Sequence, residues 1–151
     1  MTEISKEILI DVEVKDVFDF ILKPMKVSSI WPNLIQVSNE KPLPNGGYKF
    51  NWKYKFAGVS FKGDAHHSDI AKNQWITLVT TGSVSCSVTF AFRREAYRTR
   101  VFCTFDSGIM VPVVGVYIKN FLVEVGKEQQ AFLVKLKSEL EQKNGSPVAT
   151  I

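Results

Sequence analysis

The chain has 151 residues, 45% of them hydrophobic and 23% charged, with a formal net charge of +4. That composition excludes a disordered chain, and the length favours one domain able to bury a core. The mild positive charge gives weak attraction to anionic surfaces and does not demand nucleic acid.

The opening segment MTEISKEILIDV lacks the basic start and apolar run of a signal peptide. The most apolar run, GIMVPVVGVYI at 108–118, is shorter than the roughly 20 residues that span a bilayer. A cytoplasmic protein is expected.

Ile4, Lys6, Ile8, Ile10 and Val12 alternate with Ser5, Glu7, Leu9 and Asp11, which predicts a strand with one mostly apolar face. A helix opens at Lys15 or Asp16, with Val17, Phe18, Ile21 and Leu22 on one side, and Pro24 stops it. A second short helix fits Met25 to Ile30, before Trp31. Strands are then predicted at 34–39, 48–56, 59–70, 74–81, 84–92 and 101–105, separated by turn residues such as KPLPNGG. From Pro112 a long helix is predicted to about Gln142, ending at the Asn144–Gly145 cap, with 144–151 as a flexible tail. Its apolar stripe is Val114, Ile118, Phe121, Val125, Phe132, Leu136 and Leu140, with Lys127, Glu128, Lys135 and Lys137 largely outside it. The order of elements makes an α+β domain over residues 1–143, in which the long helix covers the buried face of an antiparallel sheet.

Cys86 and Cys103 have no CxxC partner. With the hairpin turn placed near Ala96 to Thr99, Cys103 lies opposite about residue 92. Cys86 is then on the order of 20 Å away at roughly 3.3 Å per residue. Two free, buried thiols are expected, since a disulfide needs Cα atoms within roughly 7 Å.

The strand YKFNWKYKF, 48–56, carries Tyr48, Phe50, Trp52, Tyr54 and Phe56 on one face, while Lys49, Lys53 and Lys55 point the other way. A single-strand nucleic-acid platform needs both on one side, so nucleic acid is not expected. The aromatic face is either plain core or the wall of a cavity. Tyr48, Trp52 and Tyr54 carry polar tips that suit a partly wet pocket.

GDAHHSD, 63–69, is the cluster with chemistry in it. If Val59, Phe61, Gly63 and Ala65 face inward, His67 follows them, and Asp69 after it. His67 would then be a candidate general acid/base, with the Asp69 carboxylate fixing its tautomer; the alternative is a solvated strand end. Each face of this strand holds one histidine and one carboxylate, too few for a metal site. Arg93, Arg94, Arg98 and Arg100 form a basic hairpin tip, either solvated or able to dock transiently on a membrane surface or an acidic protein partner.

At the level of pattern and order, the chain resembles the START-like superfamily (SRPBCC, or Bet v 1-like helix-grip), in its polyketide cyclase/dehydrase and lipid-transport branch. The segments that carry the resemblance are EILIDVEVKDVFDFILKPMKVSSIWPNLIQV, GGYKF with the following AG, YRTRVFCTFD and FLVKLKSELE. They cover roughly residues 3 to 142. Where the family often has proline before the first helix, this chain has Glu13-Val14-Lys15. The resemblance implies a curved sheet of six or seven strands around the long helix, two short helices after the first strand, and a cavity for a hydrophobic molecule. Lipid, quinone, sterol and aromatic polyketide are the implied ligand classes, with no cofactor and no metal. On that architecture the cavity wall is expected to include Trp31, Tyr48, Phe50, Trp52, Tyr54, Phe61, His67, Val88 and Phe90. Val114, Tyr117, Ile118 and Phe121 are expected to line it as well, and SGIMVPVVGVYI, which leads into the long helix, is either a gate to the cavity or a close helix–sheet contact that needs a small residue. The implied functions are a binding or transport module, a cyclase or dehydratase using His67, or an accessory subunit of a metabolic or respiratory complex.

Overall fold

A computed structural model describes residues 3–56, 58–83, 85–107 and 118–149. Within the last segment it describes side chains from Leu122 to Lys143. Strand β1 (Glu3–Ile10) is followed by helices α1 (Val14–Ile21) and α2 (Pro24–Ile30). Six strands come next: β2 (Leu34–Pro42), β3 (Tyr48–Phe56), β4 (Val59–Ala71), β5 (Trp75–Gly82), β6 (Cys86–Glu95) and β7 (Arg98–Asp106). Helix α3 (Ile118–Ala149) closes the described chain.

The strands form one curved antiparallel sheet in the order β1-β7-β6-β5-β4-β3-β2. β2 to β7 make a meander of successive hairpins, and β1 pairs with β7 across the whole chain. Alternation sorts the faces. Phe50 and Trp52 are buried on β3, while Lys49, Lys53 and Lys55 are exposed. On β4, Phe61, Ala65 and His67 are buried and Lys62, Asp64 and His66 are not. Val59, expected to face inward, is exposed because it sits at the end of its strand.

Helix α3 lies against the concave face at the β1/β7 side. Phe132, Leu133, Leu136 and Leu140 join a core with Ile10, Val17, Phe18, Ile76, Phe90 and Val101. The ring of Phe132 meets Trp31 at 4.8 Å and Phe90 at 5.7 Å between centroids. Polar side chains tie the helix to the same side. Gln129 Nε2 donates to the carbonyls of Ile4 and Cys103, both at 3.0 Å. Lys137 Nζ donates to the Leu9 carbonyl at 2.9 Å, and Glu141 accepts the Asp11 N–H at 2.8 Å.

Several boundaries differ from expectation. α1 begins at Val14, a little before Lys15, and α2 takes Pro24 as its first residue, the position where a missing N–H does no harm. α3 continues through Gly145 to Ala149. The expected start of that helix, from Pro112 to Tyr117, lies outside the described residues, as do Val84 and the gate segment 108–117.

The β6–β7 hairpin is tighter than the sequence implied. Glu95 pairs with Arg98 across the two residues Ala96 and Tyr97, so Cys103 faces Phe90 rather than residue 92. Cys86 is then about 13 Å from Cys103's partner position at roughly 3.3 Å per residue, and both thiols are free. Cys103 is buried, but Cys86 is half-buried.

Candidate functional site: an apolar cavity between the sheet and the long helix

The curvature of the sheet leaves a cavity of about 150 Å³ between β2–β7 and helices α1, α2 and α3. Its wall is mostly aliphatic and aromatic: Ile21, Val27, Leu34, Val37, Ile76, Leu78, Val88, Phe90 and Phe105 contribute, with Trp31, Phe50 and Trp52. Among the described residues no lysine or arginine lines it.

Of the expected wall residues, Trp31, Phe50, Trp52, Tyr54, His67, Val88 and Phe90 line the cavity. Tyr48 and Phe61 do not. Tyr48 turns its hydroxyl to Lys23 Nζ at 2.5 Å, and Phe61 is buried behind the Tyr54 ring, 6.4 Å between centroids. Val114 and Tyr117 lie outside the described residues, and so do the side chains of Ile118 and Phe121.

The polar tips on this wall are mostly satisfied by the protein itself. Trp52 Nε1 donates to the Asp64 carbonyl at 3.0 Å. Thr80 Oγ1 is engaged with Cys86. Trp31 Nε1, Asn33 Nδ2 and the Tyr54 hydroxyl all donate to one carboxyl group, that of Glu128, at 3.1, 2.7 and 2.6 Å. Glu128 is only 5% exposed. Burial pushes its carboxyl above the usual range, and the three donors pull it part of the way back. Burial, with the neighbouring Glu128, pushes the Tyr54 hydroxyl up as well.

Glu128, expected largely outside the apolar stripe, is therefore buried on the same side of the helix as the stripe. The signal was a gap: between Val125 and Phe132 the stripe has no apolar member, and positions 128 and 129 fill it at helical spacing. Both are buried polar residues: Glu128 is satisfied by the α2–β2 corner and β3, and Gln129 bonds to β1 and β7 through its Nε2.

His67 is 4% exposed and faces the cavity as expected. Asp69 does not accompany it. A β-bulge between them makes His67 pair with Leu78 and Asp69 with Thr77, so Ile70 takes the inward place opposite Ile76 and Asp69 is exposed. The group that fixes the ring is the Tyr48 N–H, which donates to His67 Nδ1 at 2.9 Å. Gly47 makes this approach feasible, since a Cβ there would lie 2.8 Å from Nδ1 and 2.6 Å from His67 Cβ. Burial, and then the nearby His66, push the imidazole down to about 4.

The sign follows from that shift. The folded state disfavours imidazolium, so the stability His67 confers is complete above its ordinary value of 6.5 and is lost as the pH falls towards 4. We expect urea unfolding to show a loss of about 2–3 kcal/mol over that window. His67→Gln should flatten it; an unchanged slope would show that the histidine is not the titrating group.

The thiols are set by burial too. It raises Cys86, and it pushes Cys103 up to about 12, so neither is an activated nucleophile.

At the arginine hairpin Arg93, Arg94 and Arg98 are exposed and Arg100 is half-buried. Arg93 and Arg100 are directly opposite each other on β6 and β7. Glu95 bridges them at 2.9 and 2.7 Å, and Arg100 also meets Glu7 at 3.0 Å. Arg100 first, then Arg93, hold the Glu95 carboxyl down at about 2. No ion pair of Arg94 or Arg98 is present among the described residues.

This architecture, a curved seven-stranded sheet gripping a C-terminal helix, is the START-like helix-grip fold. By sequence, no family model and no curated protein matches the chain. Solved structures do. The Zhui aromatase/cyclase from a Streptomyces species is 14% identical with a TM-score of 0.77, over 94% of each chain. A START superfamily protein from Mycobacterium smegmatis is 14% identical with a TM-score of 0.74, over 93% of this chain and 97% of that one. A conserved protein from Geobacillus kaustophilus is 17% identical with a TM-score of 0.72, over 93% and 96%. At these identities the likeness is one of fold. No helix among the described residues is long and apolar enough to cross a membrane.

Proposed function

We propose that this protein binds a hydrophobic small molecule in the cavity between sheet and helix, as a carrier or binding module. The observation that supports this reading is the cavity itself: about 150 Å³, walled by apolar side chains whose few polar tips are mostly satisfied internally. Apolar cavities of that order stay dry and take up aromatic molecules, and burying ligand surface contributes roughly 25 cal/mol per Å² before the costs of association. Lipids, quinones, sterols and aromatic polyketides are the classes to try.

Trp31 and Trp52 line the cavity, so an entering ligand should change their emission. Titration of the wild type with such a panel should give saturable changes. Ala65→Phe, which fills the cavity from β4, should abolish them. Absence of any saturable change across the panel would refute the proposal.

A second reading is a cyclase- or dehydratase-type reaction on a polyketide-like substrate. It is favoured by the neutral imidazole of His67 in the cavity wall and by the fold shared with the Zhui aromatase/cyclase. Its measure is product formation from a polyketone substrate. Turnover unaffected by His67→Phe would remove His67 from any such role.

A further inference from the structure

Among the described residues that line the cavity, His67 carries a polar hydrogen without a protein acceptor. Tyr48 N–H donates to His67 Nδ1, so Nδ1 carries the lone pair and the neutral ring carries its proton on Nε2. No hydrogen bond of Nε2 is present among the described residues, whereas the indole N–H groups of Trp31 and Trp52 and the Tyr54 hydroxyl all have acceptors. The sealed, unpartnered side-chain polar atoms among the described residues are Asn73 Oδ1 and Gln129 Oε1. His67 Nε2 is not among them and therefore keeps access to open space, although the residue as a whole is 4% exposed and lines the cavity.

Two further observations define what would suit this donor. The cavity wall offers no lysine or arginine among the described residues, so an anionic ligand would lose its hydration without a countercharge. The other polar centre, Tyr54 with Glu128, stands six residues further along β3 than Tyr48, about 20 Å at roughly 3.3 Å per residue. It supplies a carboxyl group and no cation. A polar group of the ligand at the His67 end is therefore met by His67 and not by Glu128.

We infer that His67 Nε2–H is the specificity determinant of the cavity, and that it selects uncharged apolar ligands bearing a hydrogen-bond acceptor, such as a ketone carbonyl, over hydrocarbons and over carboxylates. This rests on the cavity being a ligand site, as proposed above. The neutral state of the ring at pH 7 agrees with its depressed pKa.

The test uses three probes of one shape at pH 7: acetylnaphthalene, isopropenylnaphthalene, in which a CH₂ replaces the carbonyl oxygen, and naphthoic acid. We expect the ketone to bind wild type about tenfold more tightly than the hydrocarbon, the scale of one hydrogen bond in a dry site, and more tightly than the acid. In His67→Phe the ketone's advantage should vanish while the hydrocarbon still binds, which also reports that the variant is folded. In wild type, the Nε2–H proton resonance should shift with the ketone and not with the hydrocarbon, a readout that needs no variant. Equal binding of ketone and hydrocarbon by wild type, acid binding as tight as the ketone's, or a tenfold preference retained in His67→Phe would each overturn the inference. Failure of all three probes to bind would instead count against the cavity as a site for molecules of this kind.

Discussion

Glu128→Ala is expected to destabilise the protein by about 4 kcal/mol in urea unfolding. The carboxyl group is the common acceptor for Trp31, Asn33 and Tyr54, and truncation strands the Trp31 and Tyr54 donors at a largely apolar wall, while the exposed Asn33 amide can turn to water. Each unsatisfied buried donor costs roughly 1–3 kcal/mol, reduced where water enters the vacated space. Glu128→Gln should cost less, about 1 kcal/mol. Its carbonyl oxygen still accepts from Asn33 and Tyr54, but its amide then opposes the Trp31 N–H. The two variants also differ from wild type in pH dependence. Because the folded-state pKa of Glu128 is raised, its contribution is complete below the ordinary value of 4.5 and declines as the pH rises through the folded value. Both substitutions should remove that slope. Stabilities of all three proteins within 0.5 kcal/mol of one another, roughly the spread of neutral surface changes, would show that the hydrogen bonds to Glu128 contribute nothing net.

Gly63→Ala should be at least as damaging, with a loss of about 4 kcal/mol. Gly63 faces Gly82 across the β4–β5 pair. A Cβ at Gly63 would lie 2.0 Å from the Thr81 carbonyl oxygen and 2.7 Å from Trp52 Cζ2. The first obstacle is backbone, which yields only by moving the strand. The second is a ring that lines the cavity, so Trp52 emission should shift together with stability. Gly58→Ala is the comparison. Its φ is +80°, but nothing lies within 4 Å of the added atom, so only the backbone penalty of roughly 1 kcal/mol remains. Equal losses at the two sites would refute the steric account of Gly63.

The aromatic strand was legible because its information is local. A period of two in YKFNWKYKF decides which side chains face inward, and the structure keeps that period without interruption from Tyr48 to Phe56. The same rule failed for Asp69 because one extra residue on β4 inverts the faces beyond it, and nothing in HHSDI marks the bulge. Glu128 was misread for a different reason. A charged residue on a helix is normally solvated, and only its partners at Trp31, Asn33 and Tyr54, roughly 74 to 97 residues earlier in the chain, make burial affordable. At the arginine tip the ion pairs with Glu95 are local, whereas Glu7, which shares Arg100 with Glu95, lies 93 residues away and could not be read from the hairpin.

The bonds that hold α3 are unevenly placed. Gln129, Lys137 and Glu141 fasten it to β1, β7 and the turn after β1. Towards the opposite edge, its hydrogen bonds among the described residues run through Glu128 alone. In mechanical terms the grip has a stitched seam along one side and a single latch on the other. Glu128 and two of its partners, Trp31 and Tyr54, line the cavity, so the latch is also part of the cavity wall.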